Sequence, residues 1–283
     1  MRDLNKSIIS YYDNTWLDYR ALWINKKDRA LHFGYYETNT ETHSEALMNL
    51  NKAMAQRANI DARDHVLDAG CGQGGSALWL AANIGCTVSG ITLVPHQVEI
   101  ASKEAKHRNL QDKVKFFVAD YTQTDFENAS YDVVWACESL CHAADKKKFY
   151  TEAYRLLKAG GRLIAAEYIR NSRTNKPEDE YYLRHWCDGW SMSDLDTWDE
   201  HLKNMTDAGF VNANTEDVTK HTGKSLKKLY QMSKDSLWLG RLLNFFKIRN
   251  DIKHANQTAS VSQYEALTRK LWYYSFITAL KPI

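Results

Sequence analysis

Residues 66–75 read VLDAGCGQGG, a short apolar run, an aspartate, and then four glycines within six positions. An apolar, β-branched run that leads into such a turn is typical of a strand ending at a ligand-binding loop, because glycines let the backbone approach a bound molecule closely. The stretch therefore predicts a strand–turn–helix unit with a ligand site at the carboxyl end of its strand.

Strand-like and helix-like segments alternate around this unit, from about residue 60 to residue 170. The strand-like runs are β-branched or aromatic: HVLDAG, CTVSGIT, VKFFVAD, YDVVWAC and RLIAAEYI. Between them lie the helix-like patterns SALWLAANIG, HQVEIASKEAKHRN and DKKKFYTEAYRLLKAGG, of which the last is expected to end at its glycines. The alternation predicts an α/β fold with a doubly wound, mostly parallel sheet and helices on both faces.

Both flanks of this central region read as mostly helical. We expect residues 1–59 to form an N-terminal helical lid, residues 60–170 the binding core, and residues 171–283 a helical cap plus the last strands of the core sheet. The final strand is expected at WYYSFITAL, residues 272–280. The aromatic residues that share one face of the predicted lid helix are Tyr12, Trp16, Tyr19 and Trp23.

Composition excludes several classes of protein. The 283 residues are 44% hydrophobic and 25% charged, as in globular proteins, and a net charge of +2 argues against a nucleic-acid binder. No apolar run approaches the ~20 residues of a membrane span. Five cysteines without a CxxC pair or zinc-site spacing predict reduced thiols, no metal site and a cytoplasmic location. An aromatic share of 12% favours apolar pockets as well as core packing.

The ligand of the glycine turn follows from its neighbours. Gly70, Gly72 and Gly75 fit the GxGxxG pattern of dinucleotide-binding folds, but that pattern alone is weak. Asp68, two residues before the first glycine, would repel a pyrophosphate and suits a ligand that carries an ammonium group. The acid that a dinucleotide fold needs about 20 residues further on is replaced by neutral Thr92. The residues therefore favour the amino-acid end of S-adenosylmethionine over a dinucleotide.

Four further segments carry a family resemblance: LHFGYYE, GITLVPHQ, VADYT and CESLCHAADKKKFYTEAYRLLKAGGRL. With them the chain resembles the class I S-adenosylmethionine-dependent methyltransferases over about residues 60–170. Within that class it is similar to the branch that holds the tocopherol, sarcosine/dimethylglycine and sterol C-methyltransferases. The resemblance implies a Rossmann-like methyltransferase fold, S-adenosyl-L-methionine as cofactor and S-adenosyl-L-homocysteine as product.

The resemblance also assigns the cofactor-binding residues. They are Asp68, Gly70, Gly72, Gly74, Thr92, Gln97, Asp120, Tyr121 and Glu138. The three glycines would admit the methionine moiety, whose ammonium would meet Asp68 directly or through water. Thr92 and Gln97 would bond the ribose. Asp120 would accept from the adenine amino group, with Tyr121 beside the ring.

Glu138 and His142 are the candidates for proton transfer, because they follow the fourth strand at the active-site edge, four residues apart. The alternative is that Glu138 orients the cofactor or substrate while His142 caps the helix that begins near Asp145.

The residues expected to line the substrate pocket are Tyr12, His32, Tyr35 and Trp186. For each of these four, packing in the core is the competing interpretation.

The predicted function is methyl transfer to carbon or nitrogen of a small apolar or amphipathic metabolite, such as a natural product or a prenyl or sterol-like compound. The alternatives are N-methylation of a small polar amine, such as a glycine derivative, and a non-catalytic S-adenosylmethionine-binding protein.

Residues 220–253 carry nine Lys or Arg against two acids. That segment is either a solvated helix face or a cap that attracts an anionic substrate or an anionic membrane surface, which would allow peripheral membrane contact.

Overall fold

The computed structural model describes residues 4–23, 28–245 and 250–283. Its strands form one sheet in the order β3-β2-β1-β4-β5-β7-β6. They are β1 (His65–Ala69), β2 (Thr87–Thr92), β3 (Val114–Val118), β4 (Tyr131–Cys137), β5 (Leu157–Arg170), β6 (Val211–Asp217) and β7 (Trp272–Leu280). The first five strands pair in parallel, and β7 runs antiparallel to both β5 and β6. The predicted doubly wound, mostly parallel sheet is confirmed.

Helices cover both faces of this sheet. They are α1 (Leu4–Leu22), α2 (His43–Arg57), α3 (Gly75–Asn83), α4 (Pro95–His107), α5 (Lys146–Leu156), α6 (Pro177–Gly189), α7 (Trp198–Ala208), α8 (Thr219–Asp235), α9 (Leu237–Phe245) and α10 (Asp251–Thr268). A single turn of 3-10 helix spans Leu140–His142. Within the described ranges, no helix has the length and apolarity that crossing a bilayer requires.

Two elements differ from the sequence-based prediction. Helix α5 ends at Leu156, before its glycines, because Leu157 is extended and pairs with Tyr131 of β4. Strand β6 has the polar sequence VNANTED, which lacks the apolar run of the other strands. It lies at the edge of the sheet and pairs only with β7, so its side chains need not be apolar.

Aromatic side chains fill the space between the sheet and the C-terminal helices. Trp135 on β4 and Trp272 and Tyr274 on β7 are at most 1% exposed. Trp186 on α6 packs against Trp272, with ring centroids 4.8 Å apart. Burying one large apolar side chain stabilises a fold by about 1.5–3 kcal/mol. Much of the aromatic content therefore serves folding rather than ligand binding.

Residues 28–36, here called the strap, lie between α1 and α2 in the sequence and have no helical structure. The strap crosses the glycine turn at close range. A Cβ atom added to Gly75 would lie 2.8 Å from the backbone oxygen of Arg29, and one added to Gly72 would lie 3.2 Å from Leu31 Cδ1. The absence of side chains on the turn lets the strap lie directly on it.

The fold leaves no room for a side chain at Gly74. Gly74→Ala is expected to lower the free energy of unfolding by about 1–3 kcal/mol, since the residue is left-handed (φ 82°) and a Cβ would lie 2.6 Å from the Phe116 ring. The matched control is Gly223→Ala in α8, where nothing lies within 4 Å of the new Cβ. It should raise stability by ~0.5–1 kcal/mol. Equal losses on urea denaturation would contradict this explanation.

Candidate active site

A cavity of about 670 Å³ opens at the carboxyl ends of β1, β2 and β4, a size typical of small-molecule sites. The glycine turn and the ends of the strands form one side, and α1, the strap and helices α8 to α10 form the others. The predicted site residues that line it are Tyr12, His32, Asp68, Gly70, Gly72, Thr92, Gln97, Tyr121, Glu138 and His142. Most of the predicted residues are therefore brought together.

Two predicted pocket residues lie off the cavity. Trp186 is fully buried against Trp272, as described above, so core packing is its role in this fold. Tyr35 stacks on His221, with ring centroids 4.3 Å apart, and its ring also faces Phe276 of β7. Trp190, one helical turn after Trp186, lines the cavity in its place.

The turn glycines are required by the protein's own packing. A Cβ on Gly70 would lie 2.4 Å from the Cβ of Ser139, and one on Gly74 would enter the Phe116 ring. Gly74 does not line the cavity, whereas Gly70 and Gly72 do. Close packing of neighbouring chain segments therefore excludes side chains at Gly70 and Gly74, and Gly74 supports the turn from behind. The approach of the methionine moiety to these glycines stays a prediction.

Asp68 is the most deeply buried charged group of the turn, at 1% exposure. Burial raises the pKa of its carboxyl to about 7, with a hydrogen bond from the Ala77 backbone acting in the opposite direction. Its Oδ2 atom has no hydrogen-bond partner among the described residues. A buried carboxyl that lacks a partner and lines a cavity suits a cationic group, so the site fits the ammonium of S-adenosylmethionine.

Thr92 and Gln97 lie side by side, as a shared contact with the ribose of the cofactor would require. The Thr92 hydroxyl donates to Gln97 Oε1 at 2.8 Å, and both residues are buried at the cavity wall. Thr92 ends β2, and Gln97 stands in the first turn of α4, which begins at Pro95. The short connection between β2 and α4 therefore sets the position of both side chains.

Asp120 does not line the cavity, and its carboxylate already has a partner. The Asn5 side-chain amide of α1 donates to Asp120 Oδ2 at 2.9 Å. An amide NH₂ offers the same kind of donor as the amino group of adenine, so α1 supplies at this carboxylate the donor that was expected from the cofactor. Tyr121, the next residue, does line the cavity and donates its hydroxyl proton to the Ser139 carbonyl at 2.7 Å.

Glu138 accepts hydrogen bonds from three separate parts of the chain. Its Oε1 receives the backbone N–H of Phe33 in the strap at 2.6 Å and the Tyr274 hydroxyl of β7 at 2.8 Å. Its Oε2 receives the Tyr168 hydroxyl of β5. Burial raises the pKa of this carboxyl to about 7, although these donors pull it down. Such a group is suited to hold the strap against the sheet.

His142 faces Tyr12 rather than an open space. Its Nδ1 lies 3.3 Å from the Ser191 carbonyl and its Nε2 lies 3.0 Å from the Tyr12 hydroxyl, so Nδ1 carries the hydrogen and Tyr12 donates to Nε2. Burial lowers the pKa of the imidazole to about 4, which keeps it neutral. The spacing of four residues does not place His142 on one helix face with Glu138, because Glu138 is left-handed (φ 51°). Asp145 itself caps α5.

The strap is fixed at both ends by acidic side chains. Arg29 donates to Glu104 of α4 at 2.8 Å, and Phe33 donates to Glu138. Between these contacts His32 lines the cavity, with its Nδ1 2.9 Å from the Phe33 carbonyl. Burial lowers the pKa of His32, so this imidazole is also held neutral.

The C-terminal helices contribute a polar wall that the sequence analysis did not identify. Its members are Ser233, Ser236, Asn256, Gln257 and Ser260. The α10 stretch NQTASVSQ carries small and polar residues, a composition that normally indicates a solvated helix. Four of its polar residues are nevertheless buried: Gln257, Ser260, Ser262 and Gln263. The only feature of the sequence that could have indicated this wall is a polar helix directly after the apolar helix α9.

The basic segment 220–253 is described in part. Lys228 lies over the Trp23 ring at 5.8 Å, and Lys253 lines the cavity. The members that lie outside the described residues are Lys247, Arg249 and the side chain of Arg241. Attraction of an anionic substrate or membrane surface by this segment stays a prediction.

Glu138 gives the stability of the fold a defined pH dependence. With a pKa of 4.5 when unfolded and about 7 when folded, its favourable contribution is complete below pH 4.5 and is lost as the pH rises through 7. The glutamine of Glu138→Gln does not titrate, so this variant does not lose stability in the same way. Between pH 5 and pH 8 its free energy of unfolding relative to that of the wild type should rise by roughly 1–3 kcal/mol. The control is Glu37→Gln, because Glu37 is exposed, and stability is measured by urea unfolding at each pH. The same pH dependence in both variants would refute the raised pKa of Glu138.

Comparison with known proteins places these features in a family. A family model described as a methyltransferase domain matches residues 67–165. The 27-O-demethylrifamycin SV methyltransferase of Amycolatopsis mediterranei is 34% identical over 200 residues, which cover 70% of this chain and 72% of that protein. The sterol 24-C-methyltransferase of Saccharomyces cerevisiae is 32% identical over 180 residues, 63% of this chain and 46% of that protein.

Among solved structures, the [4+2]-cyclase SpnF superposes with a TM-score of 0.81 at 24% identity, over 99% of this chain and 97% of that one. At this identity the likeness concerns the fold. The relatives in sequence, together with the buried acid and glycine turn of the cavity, establish the rest. The chain belongs to the class I S-adenosylmethionine-dependent methyltransferases, and it is a small-molecule methyltransferase with S-adenosylmethionine as its cofactor.

Proposed function

We propose that this enzyme transfers a methyl group to carbon or nitrogen of a small apolar or amphipathic metabolite. The observation that carries the proposal is the continuity of the cavity, which runs from Asp68 and Thr92 to a wall of aromatic and aliphatic side chains. The strap and α1 lie across it, so the acceptor must fit inside. A macromolecule would need an open groove.

The wall opposite the glycine turn defines the kind of acceptor. It carries the apolar side chains of Ile8, Trp190, Leu229 and Met232. Apolar surface of this kind favours a hydrocarbon body over a glycine derivative, whose charged groups would lose hydration there. The two relatives described above are named for a rifamycin and a sterol, which are consistent with such a cavity.

The cofactor contacts are part of the proposal. Asp68 would receive the ammonium, Thr92 and Gln97 the ribose, and Tyr121 would lie beside the adenine. Asp120 would bind the adenine amino group after exchanging its present partner, Asn5. Gly70 and Gly72 would border the methionine moiety. Gly74 would act only through the shape of the turn.

The charge states of the cavity support the choice of acceptor atom. Burial lowers the pKa of His142 to about 4 and raises that of the Tyr12 phenol, so both stay neutral and neither is a strong base. A phenol or alcohol needs deprotonation as it is methylated, whereas a neutral amine or an alkene already offers an electron pair and loses a proton only after the new bond has formed. The ammonium formed from an amine releases its proton to solvent, and the carbocation formed from an alkene is acidic enough to give its proton to a weak base such as water. A site without a strong base therefore favours nitrogen or carbon.

In the proposed mechanism the bound cofactor supplies a methyl group already activated on a sulfonium. The chain contributes position: the glycine turn and strap hold the donor, and the helical wall holds the acceptor in line with it. The aromatic faces of Tyr12 and Trp190 stabilise positive charge. The Glu138 carboxylate does the same, and His142 keeps the Tyr12 hydroxyl in a fixed direction. Glu138 and His142 thus act in orientation and electrostatics.

Methyl transfer is tested with S-adenosylmethionine labelled with ¹³C in the methyl group and a panel of amines, alkenes, phenols and alcohols. The expected result is one labelled product per S-adenosylhomocysteine formed, with the ¹³C chemical shift of an N-methyl or C-methyl group. An O-methyl product would contradict the choice of atom. Tight cofactor binding without any product would favour the non-catalytic alternative.

Asp68 predicts a proton linkage in cofactor binding. An ammonium beside this carboxyl lowers its pKa from about 7, so S-adenosylhomocysteine binding at pH 7 should release part of a proton, and affinity should fall as the pH drops below 7. Calorimetry in phosphate and Tris buffers measures the release. Asp68→Asn should reduce it and weaken binding at least tenfold, on the order of 1.4 kcal/mol.

The matched control for Asp68 is Glu167→Gln. Glu167 is equally buried, its pKa is also raised to about 7 by burial, and it does not line the cavity. Proton release should be unchanged in this variant. If Asp68→Asn released as much proton as wild type, the ammonium would not lie at this carboxyl.

A further inference from the structure

A directional chain of hydroxyl groups ends on the cavity wall at Asn256 of α10. The Tyr11 hydroxyl donates its proton to Asn256 Oδ1 at 2.7 Å. The Tyr11 and Tyr19 hydroxyl oxygens lie 2.6 Å apart, and since the Tyr11 proton is already used, Tyr19 is the donor between them. Burial raises the pKa of both phenols, which therefore keep their protons. The chain fixes which side of the Asn256 amide carries oxygen.

The other side of that amide is a hydrogen-bond donor without a partner among the described residues. With Oδ1 facing Tyr11, Asn256 Nδ2 points away from it, and no described residue accepts from this atom. The backbone is also held, because the Asn256 carbonyl accepts from Ser260 Oγ at 3.0 Å. The neighbouring Gln257 differs, since its Nε2 is used on the Ser233 carbonyl and Ser236 Oγ.

We propose that Asn256 Nδ2 binds an oxygen atom of the methyl acceptor, and that the acceptor is a neutral molecule with an apolar body and a carbonyl or ether oxygen. The inference rests on the proposed function and names its substrate class. Asn256 lines the same cavity as Trp190, Leu229 and Met232, which supply apolar contact for the rest of the molecule. Tyr11 is a positioning residue, because it acts through Asn256.

An oriented donor discriminates between ligands more strongly than apolar contact does. A hydrocarbon that fills the same space leaves the amide N–H unpaired, and a site built for a hydrogen bond rejects such an analogue. One neutral hydrogen bond corresponds to roughly a fivefold difference in affinity. A carbonyl oxygen can only accept a hydrogen bond. Preferential binding of a ketone therefore shows that residue 256 presents a donor and not an acceptor.

The test measures ligand binding to the S-adenosylhomocysteine complex of the full chain by calorimetry. The probes are terpenoid ketones of ten to twenty carbon atoms, each paired with its parent hydrocarbon, and geranyl diphosphate as the anionic probe. In wild type the best ketone should bind about fivefold tighter than its hydrocarbon. Asn256→Leu and Asn256→Asp should remove this preference, and Tyr11→Phe should reduce it, while the dissociation constant of S-adenosylhomocysteine stays unchanged.

Thr258→Val is the control on the same helix. The Thr258 hydroxyl donates only to backbone carbonyls of α10 and does not line the cavity, so the ketone preference should persist. Equal binding of ketones and hydrocarbons in wild type, or an undiminished preference in Asn256→Leu, would overturn the inference. So would tighter binding of geranyl diphosphate than of every ketone. Because binding is measured without turnover, a failure of methyl transfer would not alter these readings.

Discussion

The carboxylate of Glu138 is the contact on which the arrangement of the site depends. Donors from the strap, β5 and β7 converge on its two oxygens. A buried carboxylate is costly unless it is hydrogen-bonded, and its raised pKa shows that the three donors repay only part of that cost. The fold tolerates this group at the point where the strap meets the sheet.

Among the buried groups of the cavity described above, charge is confined to carboxyl groups. Burial lowers the pKa of His32 and His142 and raises that of Tyr12, so imidazoles and phenols are uncharged there. The same burial raises the pKa of Asp68 and Glu138 to about 7, which makes both ready to ionise when a cation arrives. A sulfonium cofactor with an ammonium group brings positive charge at two positions. The two carboxyl groups and the cationic ligand are thus electrostatically matched.

The central strands could be predicted because parallel strands are buried on both faces and read as continuous apolar runs, as β1 and β4 do. Asp68 could be predicted because its position beside the glycine turn is local in sequence. Other assignments depend on contacts between distant segments. Phe116 behind Gly74, Trp272 beside Trp186, and the polar wall around Asn256 each bring together residues far apart in the chain, and nothing in the local pattern marks them.

The turn glycines have a consequence for how this family diverges. Gly70, Gly74 and Gly75 are held by contact with Ser139, Phe116 and the strap, none of which takes part in chemistry. A descendant that abandoned methylation for another reaction would still need them to keep its shape. Conservation of these glycines would therefore indicate the fold and not the reaction. A change of reaction would instead require substitutions in the helices that enclose the acceptor.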